Sequence, residues 1–166
     1  MEIGSFLIGT LLLIGCIAPL IWIHINQNKK DSIFTAHCID LAEKEGLSLG
    51  IMEVWNRDYF IGIDEVKRTL IYTRNVNGIP EYEIIPLDQI IAHKIVKEDR
   101  QWTVKGQTKS HIERLELHFK INGKPPKEVR LLFYDALKSM TLIGELDIIK
   151  KWDELIKKQL MPQRLS

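Results

Sequence analysis

Residues 114–121 read Arg114-Leu115-Glu116-Leu117-His118-Phe119-Lys120-Ile121, an unbroken alternation of apolar and polar side chains. A period of two places Leu115, Leu117, Phe119 and Ile121 on one face of a strand and the charged or polar residues on the other. This is a sheet with one dry face and one wet face. Turn chemistry follows in Asn122-Gly123-Lys124-Pro125-Pro126, and Val129, Leu131 and Phe133 resume the alternation, which predicts an antiparallel hairpin with a longer loop.

The same pattern extends upstream. Tyr59, Ile61 and Ile63 alternate before an Asp64-Glu65 turn, and Leu70 and Tyr72 before Asn75-Val76-Asn77-Gly78. Tyr82 and Ile84 alternate after it, so these runs form a meander. Seven strands are expected, over 48–55, 59–63, 69–74, 81–85, 90–97, 112–121 and 128–134. A helix is expected over 145–160, where Leu146, Ile149, Trp152, Leu155 and Ile156 make an apolar stripe. Glu145 and Asp147 open it and Lys157 and Lys158 close it, each complementing the helix dipole. The stripe is suited to covering the dry face or open end of a bent sheet or partial barrel.

The N-terminal part has a different character. From Ile3 to Ile25 no charged side chain occurs. A helix of that length spans about 35 Å, enough to cross a hydrocarbon core of about 30 Å. Leu13-Ile14-Gly15-Cys16 has the shape of a lipoprotein cleavage box, but the start carries only Glu2 and the apolar run continues through Ile17 to Ile23. A cleaved signal has a basic start and polar chain after the cut. Residues 3–25 are therefore expected to stay as a membrane helix, with the lipid bilayer as the first partner. Lys29, Lys30 and Lys44 follow the span and none precedes it, which predicts an outside N-terminus and a cytoplasmic C-terminal domain. Residues 1–28 are thus read as an anchor, 29–46 as a juxtamembrane helix packed on the domain, and 47–166 as one α+β, mainly β domain. In the juxtamembrane piece Phe34, Cys38 and Leu41 recur at helical spacing, and Gly46 is a natural stop.

Composition narrows the function classes. The formal charge is +1, and cations interleave with acids, as in Lys94, Lys97, Glu98, Asp99 and Arg100, so no nucleic-acid partner is expected. Cys16 and Cys38 leave the domain without a disulfide framework. Histidines at 24, 37, 93, 111 and 118 lack the spacing of a zinc site, and neither a Gly-rich phosphate loop nor a nucleophile elbow occurs. His37 beside Cys38 points the opposite way on a helix, His118 faces outward on its strand, and Glu81 with Glu83 and Asp64 with Glu65 have ordinary roles on a wet sheet face and in a turn. No catalytic, cofactor-binding or metal-binding residue is expected, and the binding residues are left unassigned.

Seven meandering strands and one C-terminal amphipathic helix resemble the pleckstrin-homology (PH) fold, and specifically the membrane-anchored PH-like domains of bacteria. The resemblance covers about residues 47–160 and is carried by Tyr59-Phe60-Ile61-Gly62-Ile63-Asp64-Glu65, by the corner Ile85-Pro86-Leu87-Asp88-Gln89-Ile90, and by the Trp152 helix. It implies a recognition or scaffolding module. Some PH-like domains hold inositol phosphates through basic residues around the first hairpin loop, but the matching turn here is Asn56-Arg57-Asp58, with one cation opposed by an acid, so phosphoinositide binding is not expected. Two readings follow: a non-catalytic module that binds a protein partner by a strand edge or a groove beside the final helix, or a small barrel that holds an apolar ligand or lipid, aided by Trp55, Tyr59, Phe60, Tyr72 and Tyr82. A reporter active only in the cytoplasm, fused after Ser166, is expected to be active and one active only outside to be silent; the reverse pattern, or a mature chain beginning at Cys16, defeats the orientation.

Overall fold

Seven strands form two antiparallel sheets, and a helix closes the chain. The computed structural model describes residues 33–104, 107–139 and 141–161. The expected membrane helix over 3–25 lies outside them; among the described residues no helix is long and apolar enough to cross a membrane. The described chain begins with a helix over 33–44 (α1). The first sheet follows as β1 (Ile51–Trp55), β2 (Tyr59–Asp64), β3 (Thr69–Val76) and β4 (Ile79–Pro86), paired in that order. A short 3-10 turn, Leu87–Gln89, leads to the second sheet: β5 (Ile90–Val104), β6 (Gln107–Ile121) and β7 (Lys127–Asp135). The chain then forms α2 (Glu145–Leu160).

The turns explain the meander. Asn77 and Gly78 separate β3 from β4 and both have positive φ (54° and 86°), the backbone that suits a two-residue hairpin between right-twisted strands. Asn56 and Arg57 take the same left-handed region between β1 and β2. Asp64 ends β2 and accepts hydrogen bonds from the amides of Lys67 and Ser48, both at 2.8 Å. Those donors, the Lys67 amide first, hold its carboxyl below the usual carboxylate range. Residues 48–50, expected to begin the first strand, lead into it instead, and the Ser48 amide is taken by Asp64.

The core lies between the sheets. Trp55, Ile61, Ile63, Leu70 and Tyr72 from the first sheet meet Leu115, Leu117, Phe119, Leu131 and Phe133 from the second, with Ile149, Trp152 and Ile156 from α2. The predicted stripe of α2 is the face it buries. Trp152 also donates through Nε1 to Glu53 of β1 (2.9 Å), and Arg68 bonds the Gln159 carbonyl in the last turn of the helix (2.6 Å).

No strand of one sheet is hydrogen-bonded through its ladder to a strand of the other. Two side chains span the gap: Trp55 Nε1 donates to the Phe133 carbonyl (3.0 Å), and the Tyr72 hydroxyl to the Leu132 carbonyl (2.6 Å). A bulge makes this possible. Leu115 pairs with Tyr134 and Glu116 with Leu132, which leaves Phe133 as the extra residue. Successive carbonyls of a regular strand point to opposite edges, whereas here both are within reach of the first sheet. Trp55 further stacks on Phe133 (centroids 4.8 Å apart) and on Tyr59 (5.4 Å).

The centre of the first sheet, in β2 and β3, is dry on both faces, which its alternation did not predict. All six residues of β2 are buried. Phe60 and Ile71, on the face away from the core, pack with Cys38, Ala42 and Leu47, with Phe34 and Leu41 beside them. Thus α1 lies across the outer face, as the apolar stripe of the juxtamembrane helix implied. A Cβ at Gly62 would sit 2.8 Å from Leu49 Cδ1, so the glycine permits this close cover. Replacing Tyr72 by Phe strips the Leu132 carbonyl of its donor and is expected to lower stability by about 1–3 kcal/mol, measured by chemical denaturation; an unchanged midpoint would show that the bond does not join the sheets.

Candidate functional site

Among the described residues no helix lies over the outer face of the second sheet. Its middle strand alternates as the sequence predicts: Leu115, Leu117 and Phe119 are buried, and Glu116, His118 and Lys120 turn away from the core. Register sets their neighbours. Lys94 of β5 pairs with His118, and His118 pairs with Arg130 of β7. One step along, Ala92 pairs with Lys120 and Lys120 with Glu128. These residues line an open depression of about 520 Å³.

The charges are unevenly matched. His118 Nε2 lies 2.6 Å from Glu116 and Arg130 3.5 Å from Glu128. Among the described residues neither Lys94 nor Lys120 has an ion-pair partner. Lys94, His118 and Arg130 form a transverse row of basic side chains over three adjacent strands. The chemistry on offer is anion binding in a shallow, wet setting.

Beside this face runs the edge of β5. The strand has 15 residues, and its only ladder partner is β6. Ile91 is the extra residue of a bulge and is 56% exposed. On the inner side His93 stacks against Phe119 (6.1 Å) and places Nε2 3.1 Å from Asp153 of α2, off the line of a hydrogen bond. Asp153 is also paired with Lys157 one turn along the same helix (2.5 Å).

The other residues weighed from the sequence have structural partners. Glu81 bonds Arg74 (2.7 Å), Glu83 meets Lys127 (3.4 Å), and Glu65 accepts from Gln159 (3.1 Å). Asn56 bonds the buried Glu145 (2.7 Å), and Asp58 bonds Asn75 (2.9 Å), so the first hairpin turn is fixed by its own contacts. A wider depression of about 640 Å³ lies between that turn, α1 and the β3–β4 turn, where Arg57 and His37 stand beside Asp58. His37 is exposed and Cys38 fully buried, so the two do not form a nucleophile and base. His111 meets Tyr134 edge to face, at 6.4 Å between ring centroids, with its Nε2 3.4 Å from the Tyr134 hydroxyl. Among the described residues no group of three His, Cys, Asp or Glu side chains is placed to hold a metal ion.

The sequence did not foretell the reach of β5 and β6. Their ladder runs on to Val104 and Gln107, beyond the Arg114–Asp135 pair where β7 stops. Residues 98–113 are mostly polar, and their few apolar residues, Trp102, Val104 and Ile112, are too widely spread to read as a strand. Comparison with protein-family models, curated proteins and solved structures finds no match.

Burial between α1 and the first sheet pushes the Cys38 thiol up to about 11. Iodoacetamide at pH 8 is therefore expected to leave Cys38 of a Cys16→Ser variant unmodified in the native chain and to alkylate it fully in denaturant, read by intact mass. Rapid native alkylation would mean that α1 does not stay on the sheet.

Proposed function

We propose that the chain is a single-pass membrane protein, anchored by residues 3–25 with its N-terminus outside, whose cytoplasmic PH-like domain binds a protein partner and performs no catalysis. The four-plus-three strand arrangement with its C-terminal helix supports the PH-like reading. The anchor and orientation rest on the uncharged N-terminal run and the lysines that follow it.

The observation that carries the binding reading is the open edge of β5. An unpaired edge is a template for another strand, and proteins normally shorten, cover or interrupt it. The other edges here show such devices. β1 has five residues; β4 contains Pro80 and Pro86, which lack an amide donor; β7 has two carbonyls engaged by Trp55 and Tyr72. β5 has 15 residues and no proline, and beyond its bulge at Ile91 the stretch from Ala92 to Glu98 pairs regularly with β6 and has no other ladder partner among the described residues. We assign it the role of receiving an extended segment of the partner as a fourth strand, with main-chain hydrogen bonds supplying affinity.

The alternative of an apolar ligand inside a barrel has less support. The space between the sheets is occupied by large side chains, among them Trp55, Phe119, Phe133 and Trp152, all buried. Tyr82 points away, toward Glu45.

A photo-crosslinking residue at position 91, beside the edge, is expected to yield a discrete covalent adduct with a cellular protein. The same residue at 66, a turn position that is 94% exposed, is expected to yield none. Equal labelling at both positions, or none at 91, would defeat strand addition at β5.

A further inference from the structure

The row of basic side chains on the second sheet makes the partner's chemistry more specific. An acid directly opposite a basic residue on a neighbouring strand stabilises a sheet. Here Lys94, His118 and Arg130 occupy three consecutive cross-strand positions, with Lys120 diagonal to Lys94. Glu116 lies against His118 and Glu128 against Arg130, and Glu128 also faces Lys120, whereas among the described residues Lys94 has neither an ion-pair partner nor an acid directly across from it. The uncompensated charge is therefore on the β5 side, next to the free edge.

Ladder geometry turns this into a prediction about sequence. A strand added to β5 places one side chain directly across from Lys94 on the outer face, with Cβ atoms about 4.5–5.5 Å apart. That side chain becomes the fourth member of the row. Its outward neighbours along the strand lie across from Ala92 and Val96, which carry no charge and select none. Side chains in the other phase turn toward the inner side, where Ile95 packs against the core.

We infer that the partner segment is acidic at one fixed position, in register with Lys94, where its carboxylate completes the row formed by Lys94, His118 and Arg130. This inference rests on strand addition at β5. The pairing is charge-assisted and partly exposed, so it acts on selectivity and on the salt dependence of binding, with the backbone ladder holding the segment.

The test uses the full chain in detergent micelles and a random decapeptide display library. Wild type is expected to enrich extended peptides with Asp or Glu at one fixed position. Lys94→Glu is expected to replace that preference with Lys or Arg, and Lys94→Gln to abolish it. One enriched peptide, synthesised with fluorescein, is expected to lose at least tenfold in affinity on Lys94→Glu and to protect β5 amides from hydrogen exchange. Peptides that protect β5 but show no acidic position, or a preference unmoved by Lys94→Glu, overturn the acidic pairing and leave strand addition standing. No enrichment, or protection confined to other strands, overturns strand addition and the inference with it. Binding to phosphatidylglycerol vesicles that Lys94→Glu removes, without peptide enrichment, would assign the cations to lipid headgroups and also overturn it.

Discussion

Two hydrogen bonds from side chains to backbone, Trp55 to Phe133 and Tyr72 to Leu132, do what no ladder does in this protein: they bind one sheet to the other. Both donors are buried aromatic groups, and a buried polar group without a partner is costly, so their rings and the β7 bulge specify each other's position. Burial also drives the Tyr72 phenol pKa upward, which keeps the hydroxyl a donor at any physiological pH. With that joint fixed, Trp55 stacks between Tyr59 and Phe133, and α2 brings Trp152 into the same core. The packing is hydrophobic, but these few directional contacts select one arrangement of the sheets.

The joint also decides which surfaces remain for a partner. It engages consecutive carbonyls of β7, so that edge is partly used internally. The first sheet is covered on its outer face by α1, whose Phe34, Cys38 and Ala42 lie over Phe60 and Ile71. If residues 3–25 span a bilayer, the same α1 links the span to the domain and transmits orientation through buried contacts. The second sheet then supplies both a bare face and an open edge, and they adjoin at Lys94.

The sequence made the strand order legible where a run has a single apolar phase or a turn has distinctive chemistry. Leu115 to Ile121 announces its face, and Asn77-Gly78 announces its turn, since few residue pairs accept positive φ twice. The stripe of α2 was equally plain, from Ile149 to Ile156. Two features were hidden for opposite reasons. Phe60 and Ile71 sit among apolar neighbours in β2 and β3, and a run apolar in both phases does not say that a helix covers its second face. Residues 98–104 and 107–113 are mostly polar, and a ladder between runs with so few apolar residues leaves little period-two signal. The candidate site was the least legible part. Lys94, His118 and Arg130 are each unremarked on their own strands, and only the register places them in one row.

Register therefore carries the strongest argument about selection. A wet sheet face gains by alternating charge across strands, and the neighbouring row, Ala92, Lys120 and Glu128, follows that rule with Lys120 facing Glu128. Arg74 and Glu81, on the first sheet, follow it at 2.7 Å. In the row through Lys94 no acid among the described residues faces the lysine. Natural sequences tend to be consistent across levels, and local conflicts concentrate where a site demands them. An acidic residue opposite Lys94 would make that row consistent, and the backbone of β5 is open at the one position from which such a residue can arrive.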